Sequence, residues 1–231
     1  MDFTFGIVTD GQYDSFVDSI VASIRAQCIP NYEIIIVGNT TISGEKIINI
    51  PFDESIKPMW ISKKKNIVYE HAKYENIVLL HDYIVLCDGW YSGFLQYGSN
   101  YEVCVTKILN TNNTRFRDYT LFPHRINNVT LTKCLLPYDF EQNSNINRFT
   151  YISGSYMIIK KHIALQYLWN DTLCWGQGED CELCRRFIQN NILMKCNQYS
   201  TVQFLKDKSP APWEQEISYD ELKELENVGF F

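Results

Sequence analysis

Two apolar runs near the start of the chain flank a helical pattern. FTFGIVTD (3–10) and YEIIIVGN (32–39) predict strands, the second of them buried on both faces. Between them, apolar residues recur at the three- and four-residue spacing of one helix face: Phe16, Val17, Ile20, Val21 and Ile24. Asp14 or Ser15 is the predicted N-cap of this helix. The order strand, helix, strand predicts a parallel pair joined by a right-handed crossover.

The alternation continues to residue 86 with one irregularity. SKKKNIVYEHAKY (62–74) predicts a second helix, and NIVLLHDYIVL (76–86) predicts a third buried strand. The tripeptide HDY (81–83) interrupts that strand, although polar side chains are costly to bury without partners. Because open α/β sheets bind ligands at the carboxyl ends of their strands, we expect this strand to open onto a site that Asp88 and Trp90 also line.

The second half of the chain predicts a mixed sheet. Strands are predicted at 101–109, within 119–134, at 149–161 and at 194–206, and helices at 162–170 and 180–191. No linker separates the two halves. The predicted fold class is α/β, with one domain over residues 1–213 in which a Rossmann-like β-α-β nucleotide-binding half is fused to a mixed-sheet acceptor half. An acidic tail (214–231) follows, either packed on the domain or exposed.

Charge and composition exclude several function classes. The net charge is −6, and six acids and one lysine fall within 214–231, so the remaining chain is close to neutral. This balance argues against nucleic-acid binding. No apolar run is long enough to span a membrane, and the start lacks a secretory signal, so we expect a cytoplasmic protein. Among the cysteines, only Cys181 and Cys184 have metal-like spacing, which does not make a zinc site.

Two regions offer groups for a phosphorylated ligand. TDG (9–11) and GNT (38–40) follow adjacent parallel strands, where a nucleotide base and ribose would lie, although such residues are also ordinary turn formers. KKKN (63–66) opens a helix, where positive charge opposes the helix dipole. A diphosphate would relieve that conflict, and a solvated basic face is the alternative.

Two further stretches offer carboxylates. HD (81–82) can hold Mn²⁺ or Mg²⁺ against phosphate oxygens, or form a hydrogen-bonded pair at a strand end. In WGQGED (175–180), the glycines let the backbone approach a ligand and Trp175 offers an apolar face for a sugar ring. Glu179 and Asp180 can then take a proton from a hydroxyl. Complementing the helix dipole would need neither the glycines nor the tryptophan.

Six stretches, taken in order, resemble the family 2-like nucleotide-sugar glycosyltransferases with the GT-A fold: FTFGIVTDGQ, YEIIIVGN, KKKN, NIVLLHDYIVLCDGW, YISGSYMII and WGQGEDCELCRR. The resemblance spans about residues 3 to 190. WGQGEDCELCRR is the most specific part, because it looks like the Gly-rich Glu-Asp motif that opens the helix beneath the acceptor in that family. A GT-A fold is therefore expected.

The resemblance implies a role for each candidate residue. Seven would contact the donor: Thr9, Asp10, Asn39, Lys65, Asn66, Ser153 and Gly154. His81 and Asp82 lie where the family carries its metal motif, so Mn²⁺ or Mg²⁺ is the expected cofactor. Trp175 and Gly178 would contact the acceptor.

The implied reaction is a single displacement. Asp180 would deprotonate an acceptor hydroxyl, with Glu179 holding the acceptor or sharing that role. The hydroxyl would attack the anomeric carbon with inversion of its configuration. The expected donor is a UDP-sugar, and the acceptor is a glycan, a protein or a small molecule.

Two departures from the family pattern weaken the metal site. Tyr83 replaces its second carboxylate and no histidine follows Asp180, so Lys206 or Lys208 would neutralise the diphosphate instead. The main alternative function is an inactive sugar-binding, nucleotide-binding or scaffold protein on the same fold, and a retaining transferase also stays open. A nucleotidyltransferase ranks lower, because TDGQYDS (9–15) is not a glycine-rich basic loop.

Overall fold

The computed structural model describes residues 1–122, 125–126, 129–141 and 144–227. None of the helices in these ranges is long and apolar enough to cross a membrane. The strands are β1 (Phe3–Val8), β2 (Tyr32–Val37), β3 (Ile47–Ile50), β4 (Asn76–His81), β5 (Ile84–Leu86), β6 (Val103–Leu109), β7 (Thr120–Leu121), β8 (Arg125–Ile126), β9 (Val129–Thr130), β10 (Thr150–Tyr151), β11 (Tyr156–Lys160) and β12 (Met194–Phe204). The helices are α1 (Asp14–Ala26), α2 (Ile61–His71), α3 (Trp90–Tyr97), α4 (Ser144–Asn147), α5 (Lys161–Gln166), α6 (Glu179–Gln189) and α7 (Tyr219–Asn227).

Eight strands form one sheet in the order β3-β2-β1-β4-β11-β6-β12-β5. β1 is parallel to both β2 and β4, and β2 is parallel to β3. β11 is antiparallel to β4 and β6, so it joins the parallel half to the rest of the sheet. Because the side chains of β1, β2 and β4 are almost all buried, these strands form the core of the molecule. The sheet confirms the predicted mixed α/β fold.

The third predicted strand (76–86) differs from the structure. β4 ends at His81, the chain turns at Asp82 and Tyr83, and β5 then pairs antiparallel with β12 at the far edge of the sheet. The interruption predicted at HDY (81–83) is present, but the prediction that 76–86 forms a single strand was wrong, because apolar runs do not distinguish one strand from two that pair with different partners. The turn brings polar side chains to the carboxyl edge of the sheet.

Helix α3 was not expected, and it changes the position of Trp90. The indole is fully buried, with its ring centroid 4.5 Å from that of Phe94 and 5.2 Å from that of Phe3. Its Nε1–H donates to the Tyr156 hydroxyl at 2.8 Å. Asp88 is exposed just before this helix. The expectation that Trp90 and Asp88 line the site was therefore wrong.

Asp14 also differs from its predicted role as an N-cap. It is the first residue of α1, and its carboxylate accepts hydrogen bonds from the hydroxyls of Thr40 and Thr41 and from the Thr41 N–H. These bonds lower the pKa of Asp14. The side chain thus ties the start of α1 to the loop after β2.

The described part of the acidic tail (214–227) packs against the second half of the chain. Ile217 and Leu222 are buried, and Glu214 forms an ion pair with Arg117 at 3.0 Å. The last four residues of the predicted tail lie outside the described residues. The ion pair holds an arginine beside one of the two cavities described below.

Candidate active site

Two adjacent cavities lie at the edge of the sheet where β1 and β4 end. The first cavity has a volume of about 240 Å³ and the second of about 350 Å³. Four residues line both cavities: His81, Tyr83, Trp175 and Lys208. Trp175 is half-exposed, and its backbone N–H donates to the Met59 carbonyl at 3.0 Å. Groups bound in the two cavities would therefore meet at this shared wall.

The first cavity is built on the ends of β1 and β4. Val8 lies opposite His81 in the parallel register, so the next residues, Thr9 and Asp82, are neighbours. The Thr9 hydroxyl donates to Asp82 Oδ2 at 2.8 Å. Burial raises the pKa of Asp82, and this hydrogen bond opposes that effect. Asp10 is exposed and also lines the cavity.

His81 lies in the shared wall as a neutral imidazole. Its Nδ1 is 3.0 Å from the Tyr83 hydroxyl oxygen. Burial holds the pKa of His81 well below its usual range, and nearby lysines, including Lys65 and Lys208, lower it further. Its Nε2 is buried and has no hydrogen-bond partner among the described residues. His81 thus brings a buried, unpartnered ring nitrogen to the shared wall, where the surrounding lysines create a positive field.

Two lysines after β12 cover the ring of Tyr83. Lys206 Nζ lies 4.1 Å and Lys208 Nζ 4.2 Å from the ring centroid. Lys206 also lies 4.8 Å from the ring centroid of Tyr13. Burial lowers the pKa of Lys208, and the positive charge of Lys206 lowers it further. Both ammonium groups belong to the lining of the first cavity.

Glu179 and Asp180 line the second cavity from the first turn of α6. Gly178 precedes them as the N-cap with φ of 77° and ψ of 30°, a left-handed conformation that favours glycine. The sharp turn points the start of α6 at the cavity. Burial raises the pKa of Glu179. The two carboxyl groups are adjacent, but their surroundings differ.

Asp180 is fixed by three donors. Its Oδ2 accepts from the Tyr151 hydroxyl at 2.6 Å and from the Gly154 N–H at 3.0 Å, and its Oδ1 accepts from the Cys181 N–H at 2.8 Å. Because both oxygens accept hydrogen bonds, the orientation of the carboxyl group is fixed. Gly154 leaves no room for a side chain, because a Cβ there would lie 2.9 Å from Asp180 Cβ.

Lys65 and Asn66 lie beneath the site, which corrects the expectation that they contact the donor. Lys65 is fully buried, with Nζ 2.8 Å from the Gly154 carbonyl oxygen and 3.7 Å from the ring centroid of Trp169. Asn66 is also buried and binds the backbone of Trp169 with both ends of its amide. The neighbouring Lys64 lines the first cavity instead, and its Nζ donates to the Thr9 carbonyl at 2.8 Å.

The structure brings most of the predicted site residues together. The first cavity gathers Thr9, Asp10, His81, Asp82, Trp175 and Lys206, and the second gathers His81, Ser153, Gly154, Trp175, Glu179 and Asp180. Asn39 is exposed beyond β2, where its carbonyl abuts Gly11. Sequence reasoning missed Tyr151 and Arg117 in the second cavity. Tyr151 is two residues before the Ser-Gly-Ser break, whereas Arg117 has no local signal.

The residues at the predicted metal site do not fit a divalent cation. Asp82 is bound by Thr9, and His81 is surrounded by lysines whose charge repels a cation. Among the described residues, no group of three or more His, Cys, Asp or Glu side chains could hold a metal ion. Mn²⁺ and Mg²⁺ require several oxygen ligands at one point. The carboxylates of this cavity, Asp10, Glu54 and Asp82, lie among three lysines, and Glu54 is already paired with Lys64.

Solved structures resemble this chain over nearly its whole length. No protein-family model and no curated protein matches the sequence. The chain is similar to GalNAc-T7 in a crystal structure with UDP, GalNAc and Mn²⁺, with a TM-score of 0.62 and 12% identity over 99% of this chain and 48% of that chain. It is also similar to TarS 1–349 of S. aureus in complex with UDP-GlcNAc, with a TM-score of 0.57 and 13% identity over 100% of this chain and 66% of that chain.

These similarities identify the fold. GalNAc-T7 and TarS are GT-A fold glycosyltransferases, and the chain has the GT-A fold that the sequence predicted. The chain spans about half of GalNAc-T7 and just under two thirds of the TarS fragment. At such low identity the likeness reports on the fold, and the chemistry has to be argued from the residues of this chain.

Proposed function

We propose that the chain is a glycosyltransferase that moves a sugar from a nucleotide-sugar donor, a UDP-sugar, to an acceptor hydroxyl with inversion. The observation that carries this proposal is the pair of cavities with a shared wall. Lysine, hydroxyl and carboxyl groups line the first cavity, and the carboxyl groups of Glu179 and Asp180 line the second. A transferase needs this arrangement, because donor and acceptor must meet at one bond.

The first cavity would hold the nucleotide and the second the acceptor. Thr9 and Asp10 directly follow β1, at the position where open α/β sheets bind ligands. Trp175 is half-exposed between the cavities, so its ring can stack on a sugar. Gly154 and Ser153 line the second cavity beside the shared wall, where the donor sugar would lie.

Asp180 is the proposed base. Its three hydrogen bonds fix the carboxylate in the second cavity. Two of them occupy Oδ2, so Oδ1, which accepts one, keeps a lone pair that can take the proton of an acceptor hydroxyl. The acceptor oxygen then bonds to the anomeric carbon as the bond to the diphosphate oxygen breaks. Glu179, whose pKa is raised by burial, would hold the acceptor.

UDP is the nucleotide that the comparisons favour. GalNAc-T7 was solved with UDP and TarS with UDP-GlcNAc. The transfer of this preference rests on the shared fold alone. Donor identity therefore has to be measured directly.

An inactive binding or scaffold protein is the second candidate. The residues at the predicted metal site do not fit a metal ion, and this favours the inactive protein. A former enzyme that has lost its cofactor site can still bind a sugar or a nucleotide. The fixed orientation of Asp180 favours the enzyme, since binding alone does not require a carboxylate held by three donors.

A donor panel distinguishes the two candidates. The thermal unfolding midpoint would be measured with UDP-, GDP- and TDP-sugars, because ligand binding to the folded state raises it. Hydrolysis and transfer to simple glycosides would follow for any stabilising donor, with the anomeric configuration of the product read by NMR. Inverted product that disappears in Asp180→Asn supports the proposal. Donor binding without turnover by the wild type would support the scaffold, and retained configuration would exclude a single displacement.

A further inference from the structure

The first cavity contains two ammonium groups that form no direct ion pair with a described residue, although the charge of Asp82 in the same cavity acts on both of them. Lys206 and Lys208 form no ion pair and no hydrogen bond among the described residues, and both are only partly exposed. Their Nζ atoms lie about the same distance from the Tyr83 ring, at 4.1 and 4.2 Å from its centroid. We call Lys206 and Lys208 the lysine pair. Two like charges held over one ring favour an anion between them.

The other lysines near the cavity are already bound. Lys64 donates to the Thr9 carbonyl and forms an ion pair with Glu54. Lys65 is fully buried against Gly154. The lysine pair therefore supplies the positive charge that is free to meet a ligand in the first cavity.

His81 lines the same cavity, and its buried Nε2 has no hydrogen-bond partner among the described residues. The other ring nitrogen, Nδ1, lies 3.0 Å from the hydroxyl oxygen of Tyr83, whose ring the lysine pair covers. An oxygen-rich anion in this cavity would accept hydrogen bonds from both ammonium groups. A metal ion would instead add positive charge to a region where four lysines already act on His81.

We propose that the lysine pair takes the place of a divalent cation, binding the diphosphate of the donor and stabilising the nucleoside diphosphate as it leaves. This inference rests on the proposed glycosyltransferase function and assigns it a metal-independent mechanism. The bond between the anomeric carbon and the diphosphate oxygen breaks, and its electron pair stays on that oxygen. The acceptor oxygen forms the new bond, and its proton goes to Asp180. The lysine pair stays protonated throughout and supplies charge alone.

Calorimetric titration with UDP and with GDP tests the proposal. The wild type would be titrated once in EDTA and once in Mn²⁺. Lys206→Met, Lys208→Met and the double variant would follow in EDTA. We expect equal affinity in EDTA and Mn²⁺ for the wild type. We expect the affinity for UDP to fall about tenfold for each lysine removed. That factor is the lower end of the range for a hydrogen bond to a charged group.

Two controls separate charge from shape. Lys73→Met removes an exposed lysine outside both cavities, whose Nζ also lies over a tyrosine ring, 5.0 Å from the centroid of Tyr74. This variant should bind UDP as tightly as the wild type does. Made together, Lys206→Arg and Lys208→Arg keep both charges and should retain most of the wild-type affinity. The unfolding midpoint of each variant shows that it folds.

Each outcome decides the question. The role of the lysine pair is refuted if UDP binding requires Mn²⁺, or if the double variant binds UDP as tightly as the wild type. Either result is still consistent with a glycosyltransferase. Failure of the wild type to bind or turn over any sugar nucleotide, with or without Mn²⁺, overturns the proposed function and this inference with it. Metal-independent binding that is lost in the double variant and retained with arginine supports both.

Discussion

Replacing Lys65 with methionine should change how stability depends on pH. Lys65 is fully buried under Gly154, and its Nζ lies over the ring of Trp169. Burial lowers the pKa of Lys65 from 10.5 to about 8, and the charges of Glu179 and Asp180 limit the decrease. Methionine is unbranched and of similar length, so Lys65→Met removes the charge and keeps most of the packing.

The size of the effect follows from the pKa. Each pKa unit corresponds to about 1.4 kcal/mol, so the charged ammonium of Lys65 destabilises the folded chain by about 3 kcal/mol. Methionine removes this cost but leaves the Gly154 carbonyl without its donor, which costs about 1–3 kcal/mol. At neutral pH, Lys65→Met should therefore be as stable as the wild type or up to about 2 kcal/mol more stable.

The sign of the pH effect is set by the lowered pKa. Between pH 8 and 10.5 the unfolded chain keeps a proton on Lys65 that the folded chain has lost, so folding stability rises with pH. Across that window the wild type should gain about 3 kcal/mol more than Lys65→Met, as measured by urea unfolding at both ends. Lys73→Met, which removes an exposed lysine, should follow the wild type. Parallel pH curves for wild type and Lys65→Met would refute the argument.

Three further predictions concern the site. Asp180→Asn should lower kcat about a hundredfold to ten-thousandfold, whereas Glu179→Gln should mainly raise KM for the acceptor. Steady-state kinetics with both substrates varied distinguishes the two effects. Gly154→Ala would put a Cβ 2.9 Å from Asp180 Cβ and 3.2 Å from Lys65 Nζ. It should therefore lower the free energy of unfolding in urea by about 1–3 kcal/mol and also lower kcat. An unchanged kcat would contradict the role of this contact. Burial and the charge of Lys206 lower the pKa of Lys208, so the metal-free affinity for UDP should fall as pH rises, and the fall should begin below the usual pKa of lysine. Calorimetry at several pH values would measure this fall. Lys208→Arg should extend binding to higher pH, because arginine stays charged.

The parallel half of the fold could be predicted because its signals are local. The buried strand β1, the helical spacing of α1 and the apolar strand β2 each lie within one continuous stretch. The turn after β4 could not be predicted in the same way. β5 is separated from β4 by two residues but pairs with β12, more than a hundred residues further along the chain. Such pairing depends on tertiary contacts that no local pattern records.

The candidate site shows the same division between local and distant information. The carboxylates of Glu179 and Asp180 could be found because the glycines before α6 mark a turn at a ligand site. The burial of Lys65 could not, because a lysine run usually lies in solvent. Its partners, Gly154 and Trp169, are contributed from elsewhere in the chain. Tertiary packing thus separated three consecutive lysines into one near the surface, one in the cavity wall and one in the core.

The energetic cost of Lys65 supports a functional origin for its position. A stability of about 5–15 kcal/mol is typical of a domain, so a group that costs about 3 kcal/mol is a large fraction of the total. Packing alone would favour an apolar side chain at this point. What the ammonium provides is positive charge beneath Glu179 and Asp180 and a hydrogen bond that fixes the Gly154 turn. Because Gly154 in turn donates to Asp180, the buried lysine positions the proposed base without touching a substrate. Loss of activity in a Lys65→Met protein that is as stable as the wild type would separate this role from a purely structural one.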